Sequence, residues 1–155
     1  MLDIHIPAGA LTDDVEEHLV ERLTDLLLIH EGARPHSRAR PLAWVWVHRP
    51  AAVYTGGERS DRPRYKLVPS VPEGQYDDER RRAVVADATA AVLDADEAMG
   101  RPRDPDVVWV FPTEVPEGTW GLRGTIMRLA DIAGLVLGSA AKGRDYARAV
   151  LAARR

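Results

Sequence analysis

Apolar and polar residues alternate at the front of the chain. Leu2, Ile4 and Ile6 are separated by Asp3 and His5, the two-residue period of a strand with one wet face. Pro7-Ala8-Gly9 punctuates that run. Thr12 is placed to cap a helix whose first turn carries Asp13, Asp14 and Glu16, negative charges suited to the positive helix end. Val15, Leu19, Leu23, Leu26 and Leu27 then recur at helical spacing as one buried stripe. The pattern fades at His30-Glu31-Gly32. A Pro- and Arg-rich loop over 32–41 leads to Leu42–Val47, a run rich in valine and tryptophan that predicts a strand.

The same sequence of signals returns later. Tyr65 to Val71 predicts a strand and Asp77 a helix cap. Val84, Val85, Ala88, Ala91 and Val92 form a stripe, Asp94–Asp106 is a return loop, and Val107–Phe111 is a second strand. A shift of 65 positions aligns the halves without a gap: Ile6-Pro7 falls on Val71-Pro72, Gly9 on Gly74, Trp44-Val45-Trp46 on Trp109-Val110-Phe111, and Gly56 on Gly121. An internal duplication over 1–58 and 64–124 accounts for one constant offset across such distant segments; two converged amphipathic units are the alternative. The spacing is too long for common solenoid repeats.

Strand, long helix, strand favours parallel pairing through a right-handed crossover. The expected fold class is α+β: tandem βαβ units forming a four-stranded sheet with two helices on one face. Trp44, Trp46, Trp109 and Phe111 are large for a solvated sheet face, so an oligomer is expected. Residues 139–155 extend beyond the two units. Ser139–Leu151 predicts a short C-terminal helix with Tyr146 and Val150 on one side, docked on a neighbouring subunit or frayed, and Arg154-Arg155 at its end.

Composition narrows the class. With 155 residues and a formal charge of −3, the chain exerts no long-range pull on nucleic acid or anionic lipid. It has no cysteine, which excludes disulfides and thiolate chemistry. There is no signal-peptide pattern and no apolar run near membrane-spanning length, so a cytoplasmic protein is expected. The five histidines show no zinc spacing, and no metal or cofactor is expected. Gly56-Gly57 reads as a turn, because no Lys-Ser or Lys-Thr helix follows it as in a phosphate loop. Arg80-Arg81-Arg82 reads as a solvated helix face or as partners of Asp77, Asp78 and Glu79.

The stretch Thr113-Glu114-Val115-Pro116-Glu117-Gly118-Thr119-Trp120-Gly121-Leu122-Arg123-Gly124 resembles the end of the βαβ unit in the tautomerase superfamily, that of 4-oxalocrotonate tautomerase and macrophage migration inhibitory factor. The strand–Gly–acidic helix openings, Ile6 to Asp14 and Val71 to Glu79, resemble the start of that unit. The resemblance covers roughly residues 1–138 as a single domain. It implies a fused pair of units assembled as a trimer, acting on small keto, enol or unsaturated carboxylates. It also implies an amino-terminal proline as base or electrophile, arginines that hold the carboxylate, and an aromatic lid near Trp120.

This sequence departs from that pattern. The family's proline stands about nine residues before the glycine matched by Gly9 and Gly74. That count overruns Met1, and in the second unit it reaches Tyr65. Position 2 is Leu, so an amine, if free, belongs to Met1 and stands one residue out of place. The family's strand arginine maps onto Trp44 or Trp109, and the arginine after the glycine onto Ala10 and Gln75. The remaining catalytic candidates are Met1 and His5. His48, Arg49, Tyr65, Trp109, Trp120 and Arg123 are the candidates for binding a small carboxylate. Each also has a purely structural interpretation, as a strand, turn or surface residue. The expected function is a superfamily member lacking the proline, with no or altered activity on small keto or unsaturated acids. The alternative is a non-catalytic trimeric binding or structural protein.

Overall fold

The computed structural model describes residues 1–33 and 38–153. His36, part of the 32–41 loop and Arg154-Arg155 lie outside the described residues. The elements in order are β1 (Leu2–His5), α1 (Asp13–His30), β2 (Val45–His48), β3 (Tyr54–Thr55), β4 (Glu58–Arg59), β5 (Tyr65–Pro72), α2 (Asp78–Ala98), β6 (Val108–Val110), β7 (Thr113–Val115), β8 (Trp120–Leu122), β9 (Thr125–Met127), α3 (Leu129–Leu137) and α4 (Ala140–Ala152).

The central sheet has the order β2-β1-β5-β6, with β7 continuing along β5. β1 and β2 are parallel, as are β5 and β6, and the two pairs meet through antiparallel β1 and β5. Leu2 faces Val45 and Tyr65 faces Val108, so both βαβ crossovers close with the same sequence separation. The last position of the sheet holds two short strands where one was expected. The Phe111 N–H still donates to Leu67 O at 2.8 Å, but Pro112 has no N–H to continue the ladder, and β7 resumes at Ser70–Thr113.

Leu2, Ile4, Leu67 and Val71 point from the sheet into a core with Leu19, Leu23 and Leu27 of α1 and Val84, Ala88 and Val92 of α2. Each fully buried Leu or Ile contributes about 1.5–3 kcal/mol. Val85, expected on the α2 stripe, is instead on the exposed side of the helix; Leu93, Ala95 and Asp96 are buried in addition. Asp77 caps α2 through Oδ1, which accepts from Arg80 N at 2.8 Å. Thr12 has the extended backbone of a cap, but its hydroxyl makes no cap bond.

Helix α3 was not anticipated from the pattern, and it changes the role of the C-terminal segment. α3 and α4 pack against each other at Gly134 and Gly143, where a Cβ on Gly143 would lie 2.3 Å from Ala130 O. The pair docks on its own chain: the Tyr146 hydroxyl donates to Gln75 Oε1 at 2.8 Å. Val150 lies where a Cβ on Gly74 would be only 2.5 Å away. Gly74 is therefore required twice, by that contact and by its φ of +94°. Among the described residues no helix is long and apolar enough to cross a membrane.

Candidate functional site

One face of the sheet is covered by α1 and α2. The strand period sends Asp3 and His5 of β1, Trp46 and His48 of β2, and Lys66 of β5 to the other face. Register then sets a row across the sheet: His48 faces His5, His5 faces Lys66, and Lys66 faces Trp109. The His5 and His48 rings stack at 4.5 Å between centroids, and His48 Nε2 lies 2.7 Å from Asp3 Oδ1. Lys66 Nζ sits 5.7 Å from the centre of the Phe111 ring.

Along the His5, Lys66 and Trp109 part of this row is a cavity of about 410 Å³. Its walls include His5, Tyr54, Arg64, Tyr65, Lys66 and Trp109, together with Asp106. The β3–β4 hairpin supplies Tyr54. It turns on Gly56 and Gly57, both at positive φ, as a tight two-residue hairpin turn demands. Arg64 donates to Ser60 Oγ and to Asp106 O, at 3.3 and 2.9 Å. Neither Arg64 nor Lys66 forms an ion pair with a carboxylate within 4.0 Å among the described residues. Burial, the neighbouring His48 and Lys66 hold the His5 pKa below its usual value, with Asp3 acting in the opposite direction. His5 thus takes up a proton less readily than a free imidazole, and it shares the cavity wall with two cations.

Tyr65 contributes to this wall, but its hydroxyl is turned into the core. It donates to Asp96 Oδ1 at 2.6 Å, and Asp96 is completely buried. Burial, followed by the Asp96 contact, pushes the phenol far above its ordinary range. This hydroxyl is a donor and an anchor.

Met1 lies at the other end of β1. Four residues of strand separate it from His5, about 13 Å, so the two cannot serve one reacting atom within a chain. The Met1 amine donates to Ser70 O at 2.9 Å. Burial lowers its proton affinity, while Glu31 and Asp3 partly restore it. Its charged neighbours are therefore carboxylates, an unfavourable setting for an acidic ligand.

The other candidates are dispersed. Arg49 donates to Glu16 at 2.6 Å and faces α1. Trp120 is half-buried on β8, opposite Met127. Arg123 occupies the β8–β9 turn at a φ of 54°, which explains why glycine suits that position. The structure brings together His5, His48, Tyr65 and Trp109, and leaves Met1, Arg49, Trp120 and Arg123 outside that cavity. Lys66 and Arg64 were missed. The signal for Lys66 was its place between Tyr65 and Leu67 on an alternating strand, but its meeting with His5 depends on the antiparallel register between units. Among the described residues no three His, Asp or Glu side chains gather as a metal site.

No protein-family model matches the sequence, and no curated protein sequence matches it. Solved structures do match. A fused 4-OT, R7, solved as an asymmetric trimer, is 16% identical, with a TM-score of 0.64 over 81% of this chain and 94% of the other. N1, a member of the cis-3-chloroacrylic acid dehalogenase family, is 18% identical, with a TM-score of 0.66 over 81% and 82%. Macrophage migration inhibitory factor of Toxoplasma gondii is 16% identical, with a TM-score of 0.60 over 81% and 98%. These neighbours are tautomerase-superfamily proteins, and the chain has their fold in its fused, two-unit form.

Proposed function

We propose that this tautomerase-fold chain binds a small keto or unsaturated carboxylic acid in the His5 cavity and works without an amino-terminal proline. Any activity it has is then altered from the proline-dependent reaction. The observation that carries the proposal is the meeting of an imidazole with two cations in one cavity: His5 shares its walls with Lys66 and Arg64. The cations suit a carboxylate, and a 2-oxo oxygen would gain negative charge next to Lys66 as an enolate forms. In that step the C–H bond next to the carbonyl breaks, its proton moves to His5, and the electron pair comes to rest on the carbonyl oxygen. Return of the proton to another carbon completes an isomerisation. A positioned base of this kind is typically worth about 10²–10⁴ in rate. Leu2 in the family's proline region and Tyr65 in the second unit's proline slot, its hydroxyl held by Asp96, support a mechanism that uses no amine.

The test is exchange of the C3 protons of a 2-oxo acid for solvent deuterium, followed by NMR. Slow exchange is expected, lost in His5→Asn and weakened in affinity by Lys66→Ala. Cyanoborohydride with the same acid is expected to leave the chain's mass unchanged. A reduced adduct on the terminal amine, with exchange intact in His5→Asn, would overturn the proposal.

A second reading is a non-catalytic homo-oligomer, a trimer by analogy with the fused 4-OT neighbour. It rests on Trp44, Trp46, Trp109 and Phe111, all substantially exposed on the open sheet face. Binding of 2-oxo acids with no exchange at any pH would favour it. Units 1–58 and 64–124 as a duplicated domain, residues 139–155 as an added segment, and a cytoplasmic location belong to both readings.

A further inference from the structure

Asp3, His5 and His48 form one group on the open face of the sheet. Asp3 and His5 are two positions apart on β1, so both project from that face, and His48 stands opposite His5 on β2. His48 reaches diagonally back along β1: its Nε2 lies 2.7 Å from Asp3 Oδ1. An ionised carboxylate only accepts, so Nε2 carries the hydrogen and donates it. The His48 ring covers the His5 ring at 4.5 Å between centroids, 17° from parallel. Stacked rings do not converge their nitrogens on one point, and among the described residues the trio makes no metal site. Among the described residues that line the cavity beside Lys66, His5 is the one histidine. His48 therefore acts on a ligand of that cavity only through His5.

We propose that His48 is a positioning residue for His5: held by Asp3, it takes the first proton of the stacked pair and leaves the His5 ring aligned to accept the next. This deepens the reading of His5 as the base and rests on it. The geometry separates the two imidazoles by their partners. A proton on His48 faces a carboxylate at 2.7 Å, whereas a proton on His5 has Lys66 beside it on β5. Two protons on rings stacked at 4.5 Å repel each other, so the pair fills in order. The charged and titratable groups around His5 are Asp3 of β1, His48 of β2 and Lys66 of β5, with Tyr54, Arg64, Tyr65 and Asp106 in the same cavity wall. Burial, then His48 and Lys66, work against a charge on His5, and Asp3 opposes them. Two neighbouring groups whose surroundings push their proton affinities apart are the arrangement that assigns acid and base roles.

The test follows the imidazole nitrogens of the full chain by ¹⁵N NMR as pH is lowered, at low ionic strength. In the parent, His48 is expected to take up its proton at a higher pH than His5. His48→Phe keeps a ring over His5 and removes the charge. It should raise the proton affinity of His5 about fivefold, the repulsion of two unit charges at that separation in water. The two groups are partly exposed, so about 1 M salt should shrink that difference, which a purely structural effect would not show. Asp3→Asn should make His48 titrate at a lower pH. With pyruvate as probe, the acid limb of the C3 exchange rate should move to higher pH in His48→Phe, in step with His5. If His5 takes the first proton in the parent, or if His48→Phe leaves the His5 titration unmoved, the proposal is wrong. These titrations need no substrate: expected titrations without any exchange of pyruvate would overturn the reading of His5 as the base and leave the order of protonation standing.

Discussion

Replacing Tyr65 by Phe separates two roles for the residue that opens β5. The ring fills the same space, and only the hydroxyl is lost. That hydroxyl is 2.6 Å from Asp96 Oδ1, and the carboxylate is completely buried. Arg101 Nε lies 3.0 Å from the same oxygen but without hydrogen-bond alignment, and Asp96 Oδ2 has no hydrogen-bond partner among the described residues. The phenol is therefore the aligned side-chain donor to Asp96 Oδ1, and Arg101 is the ion-pair partner that remains when it is lost. A hydrogen bond to a charged group contributes about 1.5–3 kcal/mol, so the unfolding equilibrium should shift by about 10–150-fold. For a chain of this length the midpoint temperature should fall by roughly 3–12 °C. The assay is urea unfolding followed by tryptophan fluorescence at fixed protein concentration, with the denaturant slope unchanged. Asp96→Ala should cost more, about 3–5 kcal/mol, because it also strands the Arg101 charge. A Tyr65→Phe change below about 0.5 kcal/mol, within the range of ordinary surface substitutions, would refute the anchor role. So would unchanged stability together with lost binding of 2-oxo acids, which would place the hydroxyl on the ligand.

His5 takes up a proton less readily in the folded chain than a free imidazole, which titrates near ~6.5. Stability should therefore be full above that pH and decline as pH falls from about 6.5 toward the lower folded value, because the unfolded chain binds the proton first. His5→Gln should flatten that part of the stability–pH curve, and an unchanged curve would remove the physical basis for a neutral His5. Gly143→Ala places a methyl 2.3 Å from Ala130 O and 2.5 Å from Gly134 N, so α3 and α4 must part. A loss of about 1–3 kcal/mol is expected, with faster hydrogen exchange confined to α3 and α4; uniform exchange changes would argue against a local crossing. Trp46→Lys puts a charge on the open sheet face and should lower the mass seen by light scattering. A mass identical to the parent's would exclude that face from an interface.

The alternating run Leu2–Ile6 and the helical stripe Val15–Leu27 were legible because each strand or helix buries one face and each buried position repeats at its element's own period. The offset of 65 carried that legibility into the second unit. Val85 escaped because it lies one position round α2 from Val84, on the side away from the sheet, and residue type alone does not distinguish those neighbours. Helix α3 escaped because Leu129–Leu137 is apolar almost all round, which erases the periodic signal. Of the site, His5 was visible as a polar residue on an alternating strand. Lys66 and Arg64 were not singled out, because they join His5 only through pairing between units, and no local pattern encodes that register. Gln75 stood out only through the arginine that the resemblance implies at its position. Its burial under Tyr146 depends on a helix some seventy residues later in the sequence.

The antiparallel meeting of β1 and β5 sends the fronts of the two units toward opposite margins of the sheet. Amine, acids and apolar roof gather at one margin; imidazole, cations and aromatics gather at the other. An assembly of identical short chains would have to carry every substitution in all of its copies. Joining two units in one polypeptide removes that constraint, so each margin is free to acquire its own chemistry without dragging the other along.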